Sequence, residues 1–132
     1  MEPKLIWANF AASDLQRTAA FYKALGFKPN GTSQTAEATS FRFGESGFII
    51  NFFTEERLKE AVNGHVGIPK NGNEIIFSLS AQSKEEVDGW VEKIRLAGGT
   101  IFSDPQDYEQ GYTLGFADPD GHKFNILYWP GM

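Results

Sequence analysis

A chain of 132 residues with a net charge of −5 and no cysteine is long enough to bury the core of one domain. Its acidity argues against nucleic acid or an anionic membrane as a partner. The missing thiols exclude disulfides, thiolate nucleophiles and cysteine-based zinc sites. No stretch approaches the length of a transmembrane helix. Met1-Glu2-Pro3-Lys4 lacks the basic and apolar regions of a signal peptide, so a cytoplasmic location is expected. Phenylalanine occurs 12 times, which predicts a core or a ligand pocket rich in aromatic contacts.

The first predicted element is a strand over 5–11. Ser13-Asp14-Leu15-Gln16 then reads as a capping box, Ser-x-x-Gln, that opens a helix. Leu15, Thr18, Phe21, Tyr22 and Leu25 keep helical spacing, and Gly26 stops the helix. Asn30-Gly31-Thr32 matches a glycosylation acceptor but reads as a turn. Strands follow over about 40–43 and 47–53, joined by the turn Gly44-Glu45-Ser46-Gly47. The second half repeats the script. A strand is predicted over 74–80, and Ser83-Lys84-Glu85-Glu86 is a second capping box. Val87, Trp90, Val91, Ile94 and Ala97 form the apolar stripe of a helix that Gly98-Gly99 ends. Strands follow over about 100–102, 112–117 and 123–129. Asp118-Pro119-Asp120-Gly121 before the last strand is a tight turn, with proline presetting φ and glycine permitting a positive one. The period of about 70 residues is too long for a solenoid and indicates a duplicated β-α-β-β-β module.

The two modules, about 1–54 and 74–132, are joined by a segment over 55–73 that reads as a linker or as a lid over a pocket. Glu55 to Ala61 is predicted to be a short exposed helix, and the rest a flexible loop. Strand parity separates two kinds of face. Ala8, Phe10, Phe48, Ile50, Phe52, Ile75, Phe77, Leu79, Phe124, Ile126 and Tyr128 make one face almost wholly apolar, so it belongs under the helices. The other face mixes Trp7, Asn9, Ile49, Asn51, Phe53, Glu74, Ile76, Ser78, Lys123, Asn125, Leu127 and Trp129. That mixture is the pattern of a ligand pocket, and equally of a partly solvated sheet.

These pieces together resemble the vicinal oxygen chelate superfamily, which includes glyoxalase I, bleomycin-resistance proteins and extradiol dioxygenases. The matching residues are Asn9 to Leu15, Phe21-Tyr22, Leu25-Gly26-Phe27, Ala97-Gly98-Gly99 and Phe116 to His122. Asn9-Phe10, Thr54-Glu55-Glu56-Arg57 and Pro105-Gln106-Asp107 are similar to the branch of predicted lactoylglutathione lyases. The resemblance implies an α+β fold of two βαβββ modules, each a curved mixed sheet forming half of a cup, with helices on the outer face. It further implies four metal-ligand positions on strands, usually His, Gln or Glu, holding a divalent ion that acts as a Lewis acid. Here they fall on Trp7, Asn51, either Glu74 or Ile76, and Asn125.

Indole only donates hydrogen bonds, and neutral amide oxygens are weak ligands. The set is therefore degenerate, and no cofactor is expected; zinc, nickel, manganese or iron is the alternative. His65 in the linker and His122 at the turn have no second ligand beside them at metal spacing, and His122 is expected to be a turn or surface residue. Trp7, Phe53 and Trp129 are the expected aromatic walls, or else they pack the sheet or a dimer interface. Asn9, Asn51 and Asn125 supply amides, Arg42 an anchor for a carboxylate or phosphate, and Glu74 one negative charge. The expectation is a homodimeric module that binds a small polar-aromatic or cationic molecule. The alternative is a glyoxalase-like lyase, isomerase or dioxygenase-related enzyme with Glu74 as general base or sole acidic ligand.

Overall fold

A computed structural model describes residues 1–31 and 34–131; Thr32 of the Asn30-Gly31-Thr32 triplet lies outside them. The chain forms two compact units, Met1–Gly67 and Ile68–Met132. The first contains β1 (Trp7–Ala11), α1 (Leu15–Ala24), β2 (Lys28–Pro29), β3 (Ala38–Phe43), β4 (Phe48–Phe53) and α2 (Glu55–Val62). The second begins with a 3-10 turn (Pro69–Asn71). It continues with β5 (Ile76–Ala81), α3 (Lys84–Ala97), β6 (Thr100–Tyr108), β7 (Gly111–Ala117) and β8 (Lys123–Tyr128). Each unit has a four-stranded mixed sheet, in the orders β1-β4-β3-β2 and β5-β8-β7-β6. The first strand of each runs parallel to the last and the remaining pairs are antiparallel. The fold is the expected α+β pair of βαβββ modules.

In the first unit α1 packs on β2, β3 and β4. Its fully buried Tyr22 is the centre of the core. The ring stacks on Phe52 at 4.9 Å, lies tilted to Phe41 at 5.7 Å and meets Phe43 edge-on at 5.6 Å. Phe27 and Phe21 complete the cluster. Edge and offset geometries suit the ring quadrupoles and add to the burial of large apolar area. In the second unit α3 buries Val87 and Ile94, and the sheet buries Leu114, Phe116, Phe124 and Ile126. Phe116 and Phe124 stack at 5.1 Å.

The capping signals are satisfied with two adjustments. Asp14, not Ser13, is the N-cap of α1 and accepts from Arg17 N at 3.1 Å. Ser13 instead accepts from the Arg17 guanidinium at 2.8 Å. Ser83 caps α3 by accepting from Glu86 N at 3.1 Å, and the Glu86 carboxylate returns to Gln82 N rather than to the cap residue. Gly98 ends α3 at φ 98°, a left-handed conformation that suits glycine.

Several sequence boundaries shift. The strand expected over 74–80 starts at Ile76, so Ile75 and Glu74 precede it. The strand expected over 100–102 runs nine residues to Tyr108, with register shifts after Ile101 and after Ser103. Bulges let an edge strand accept Pro105 without losing its place. The helix expected in the linker is present, but it belongs to the first unit. It packs against β1 and β4 and buries Leu58, because its one long apolar side chain has a sheet to cover.

Two glycines mark close approaches within the second unit. A Cβ on Gly111 would lie 2.5 Å from the Tyr128 carbonyl oxygen and 2.9 Å from the Trp129 ring. The three atoms nearest a Cβ on Gly115 all belong to the Phe102 ring, the first at 2.5 Å. Backbone cannot yield as a ring can. Gly111→Ala is expected to cost about 2 kcal/mol and Gly115→Ala clearly less, measured by urea unfolding; equal costs would contradict this packing.

Candidate functional site

The helix-covered faces are core. The faces opposite them carry the residues singled out from the sequence. In the first unit, pairing arranges that open face in rows across the strands. One row is Lys28, Arg42, Ile49 and Trp7. The next is Ser40, Asn51 and Asn9, and a third is Ala38, Phe53 and Ala11. Trp7, Asn9, Arg42, Asn51 and Phe53 are thus brought together on one face. The Phe53 ring is half-buried, with the Arg57 guanidinium of α2 centred 4.3 Å above it.

The middle row is a hydrogen-bonded ladder. Asn30, just after β2, donates from Nδ2 to Ser40 Oγ at 3.3 Å. Ser40 donates to Asn51 Oδ1 at 2.6 Å, and Asn51 Nδ2 donates to Asn9 Oδ1 at 2.9 Å. Ser40 is fully buried, and its carbonyl oxygen also accepts from Gln34 Nε2 at 3.0 Å. A buried hydroxyl needs such partners. The ladder has a direction, since every side chain donates toward Asn9. It ends on the Asn9 amide nitrogen, which is exposed. Asn30, Ser40 and Gln34 were not singled out in the sequence; the only available signal was the alternation in β3 that sets Ser40 beside Asn51.

In the second unit the open face carries Ile76 and Ser78 of β5, Lys123, Asn125 and Leu127 of β8, and Gly111, Thr113 and Gly115 of β7. Asn125 Nδ2 donates to Thr113 Oγ1 at 3.3 Å, and Thr113 donates to the Ile126 carbonyl at 2.9 Å. Asn125 Oδ1 is buried and, among the described residues, accepts no hydrogen bond. The register shift after Ile101 turns the Phe102 ring onto Gly115, the direct partner of Asn125. The Lys123 ammonium lies 4.8 Å above the same ring. Trp129 packs against Gly111. Phe102 and Lys123 extend the expected set of Asn125 and Trp129.

Glu74 stands apart. It lies two residues ahead of β5 and is exposed. Asn9 pairs with Asn51 and Ser78 pairs with Asn125. The residue two before Asn9 is Trp7, and the residue two before Ser78 is Ile76. Register therefore gives Ile76 the position in the second unit that Trp7 holds in the first.

His122 is not on the surface as expected. It is almost fully buried, with Nδ1 2.8 Å from Asp118 Oδ2. Asp118 Oδ1 accepts from the backbone N–H of Asp120 and of His122, at 3.0 and 2.9 Å. The Asp-Pro-Asp-Gly-His segment is thus closed on itself, and both groups are occupied in holding the turn. His65 is exposed after α2. Among the described residues no three His, Cys, Asp or Glu side chains are placed to hold a metal ion.

Two other features lie off the open faces. A cavity of about 360 Å³ in the first unit is lined by residues 12–16, Ala36 and residues 54–56. Among its lining residues Asp14 and Thr54 cap α1 and α2, and Glu55 pairs with Lys59 at 3.4 Å. On the helix side of the second unit Tyr112 donates to Asp88 at 2.8 Å. That hydrogen bond, then desolvation and the charges of Asp88 and Asp107, raise the Tyr112 pKa above its usual value.

Removing the Ser40 hydroxyl would leave the Asn51 oxygen without its donor. Ser40→Ala is expected to cost about 1–2 kcal/mol in chemical denaturation. A cost near zero would show that the ladder contributes nothing to stability.

A family model described as the glyoxalase/bleomycin resistance protein/dioxygenase superfamily matches residues 4–126. No curated protein matches the chain significantly. Among solved structures, the hypothetical protein SA1046 from S. aureus is 30% identical, with a TM-score of 0.85 over 97% of this chain and 95% of its own. A glyoxalase-related enzyme from Fulvimarina pelagi is 22% identical, with a TM-score of 0.83 over 97% and 90%. A lactoylglutathione lyase from Agrobacterium tumefaciens is 18% identical, with a TM-score of 0.70 over 97% and 96%. The last two likenesses concern the fold.

Proposed function

The chain belongs to the glyoxalase/bleomycin resistance protein/dioxygenase superfamily, and from that premise we propose that it binds a small organic ligand on its open sheet faces without a divalent metal. The observation that carries this reading is Asn125. A buried acceptor with no donor costs about 1–3 kcal/mol, and the remedy, an apolar side chain, is chemically simple. An orphaned acceptor on the polar-aromatic face of a sheet is what a ligand's N–H or O–H would satisfy. In the same unit the Phe102 ring supplies a further contact of the kind a small-molecule site uses, and on the open face of the first unit the exposed Asn9 and Trp7 do so separately.

The residues at the implied metal positions do not fit a divalent ion. Trp7 offers only a donor, and Asn51 Oδ1 already accepts from Ser40. The third position in register is the aliphatic Ile76, and the fourth is the neutral Asn125. A general-base role for Glu74 gains no support from an exposed side chain ahead of the strand. A homodimer is part of the proposal, because β1 and β5 are edge strands of their own sheets and Leu5, Ile6 and Ile75 are exposed. No described helix is long and apolar enough to cross a membrane, and a cytoplasmic setting is retained in the proposal.

Asn125→Leu should stabilise the ligand-free protein by about 1 kcal/mol, seen as a higher melting temperature. The same change should shrink the shift that a bound compound produces in a thermal screen of small metabolites and aromatic drugs. A variant that melts lower and binds as before would remove the basis of the reading.

Protein purified without chelator should carry far less than one equivalent of zinc, nickel, manganese or iron by elemental analysis, and should not retain them after loading and dialysis. Stoichiometric tight metal would overturn the metal-free assignment.

A further inference from the structure

We infer that the open face of the first unit recognises an organic anion: an acceptor-rich head, such as a carboxylate or a phosphate ester, on a flat apolar body. The inference rests on the ligand-binding reading above and adds the charge of the ligand to it. It starts from a mismatch of sign. The chain has 17 acidic and 12 basic residues, yet the strand positions of this face carry Lys28 and Arg42 and no Asp or Glu. These two cations are directly opposite each other in the β2–β3 pair, an arrangement that costs stability. Among the described residues neither forms a salt bridge to a carboxylate. Arg57 adds a third cation, its guanidinium over the Phe53 ring.

Hydrogen-bond polarity points the same way. The ladder runs from Asn30 through Ser40 and Asn51 to Asn9, so the Asn51 and Asn9 side-chain oxygens each already accept one bond, while the Asn9 amide group at its end has donors on offer. The Trp7 indole, Arg42 and Lys28 have donors only. A face that offers donors and positive charge is complementary to a ligand rich in acceptors and negative charge. A body for that ligand also has a place. Trp7 is 52% exposed, and Ile49 separates it from Arg42 within one row. Two strand spacings amount to about 10 Å, a span that a single-ring acid can bridge between the indole and the guanidinium. In the second unit, Lys123 gives the open face a cation of the same sign. The ligand charge expected from Glu74 is thereby reversed, since that residue is not on the strand.

The test is a titration of the isotopically labelled full chain, followed by NMR, with benzoate, phenyl phosphate, benzamide and benzylamine. Benzoate or phenyl phosphate should shift the Trp7 indole and the Asn9 and Asn51 amide signals, and bind about tenfold more tightly than benzamide. Whichever anion binds more tightly identifies the head group. Raising salt from about 20 to about 300 mM should weaken the anions and leave benzamide unchanged. The exposed double variant K28Q/R42Q, checked for an unchanged fold by its spectrum, should abolish the preference, and Arg42→Lys should keep part of it. Benzamide or benzylamine binding this face as well as the anions do, or a preference unmoved by K28Q/R42Q, overturns the inference and leaves ligand binding intact. Shifts from none of the four probes overturn it as well. Failure of the broad thermal screen is what counts separately against the binding reading.

Discussion

In each unit the first strand pairs in parallel with the last, and that pairing decides which side chains can meet. The helix that follows the first strand carries the chain across one face of the sheet, which the return strands complete. Because side chains alternate with a period of two, the face under the helix must be apolar and the opposite face is free to carry other chemistry. Asn9 and Asn51 come together only because Trp7 pairs with Ile49. A slip of β1 by one residue against β4 would turn Asn9 to the helix-covered face and bring Phe10 out, parting Asn9 from Asn51. The aromatic cluster around Tyr22 therefore does more than stabilise the first unit. By holding Phe41, Phe43 and Phe52 inside, it fixes Ser40, Arg42 and Asn51 outside.

Much of this was legible in the sequence because alternation is a strong signal. Phe48, Ile50 and Phe52 on one side and Ile49, Asn51 and Phe53 on the other leave little freedom of register, and the placement of the asparagines follows. What was not legible lay where the period breaks. Lys28–Pro29 is too short a strand to show alternation, so no pattern in the sequence sets a cation opposite Arg42. Phe102 acquires its position from a bulge, which no hydrophobic pattern announces. Glu74 looked like a strand residue because Glu74-Ile75-Ile76 continues an apolar run, but the strand begins only where β8 offers a partner. His122 looked like a turn residue; Asp118, a local carboxylate four residues earlier, gathers it into the interior.

Unsatisfied groups occur on both sides of the sheets, since Thr18 Oγ1 of α1 is buried and has no hydrogen-bond partner among the described residues. On the helix side, His122 has Asp118 and the large apolar side chains interdigitate. On the open side, two cations oppose each other across β2 and β3, and an amide oxygen is buried without a donor. Each arrangement costs stability, and substitutions that remove the cost are chemically simple. Local violations of packing and pairing rules belong at sites where another constraint acts. These two fall on open faces, one in each unit.

The same logic separates the fold from the metal chemistry its resemblance implies. A divalent ion needs oxygens or imidazoles with unengaged lone pairs and at least partial negative charge. At Asn51 the amide is a link in the ladder, accepting from Ser40 and donating to Asn9, so turning its oxygen toward a cation would cost both bonds. At Ile76 and Trp7 there is no acceptor to turn. Restoring one carboxylate would thus leave the remaining positions unfit, and in the first unit it would place a negative charge among Lys28, Arg42 and Arg57. On the reading proposed above, positive charge on this face favours an anion over a metal ion. Neutral side chains at the implied ligand positions and positive charge on this face fit that one reading.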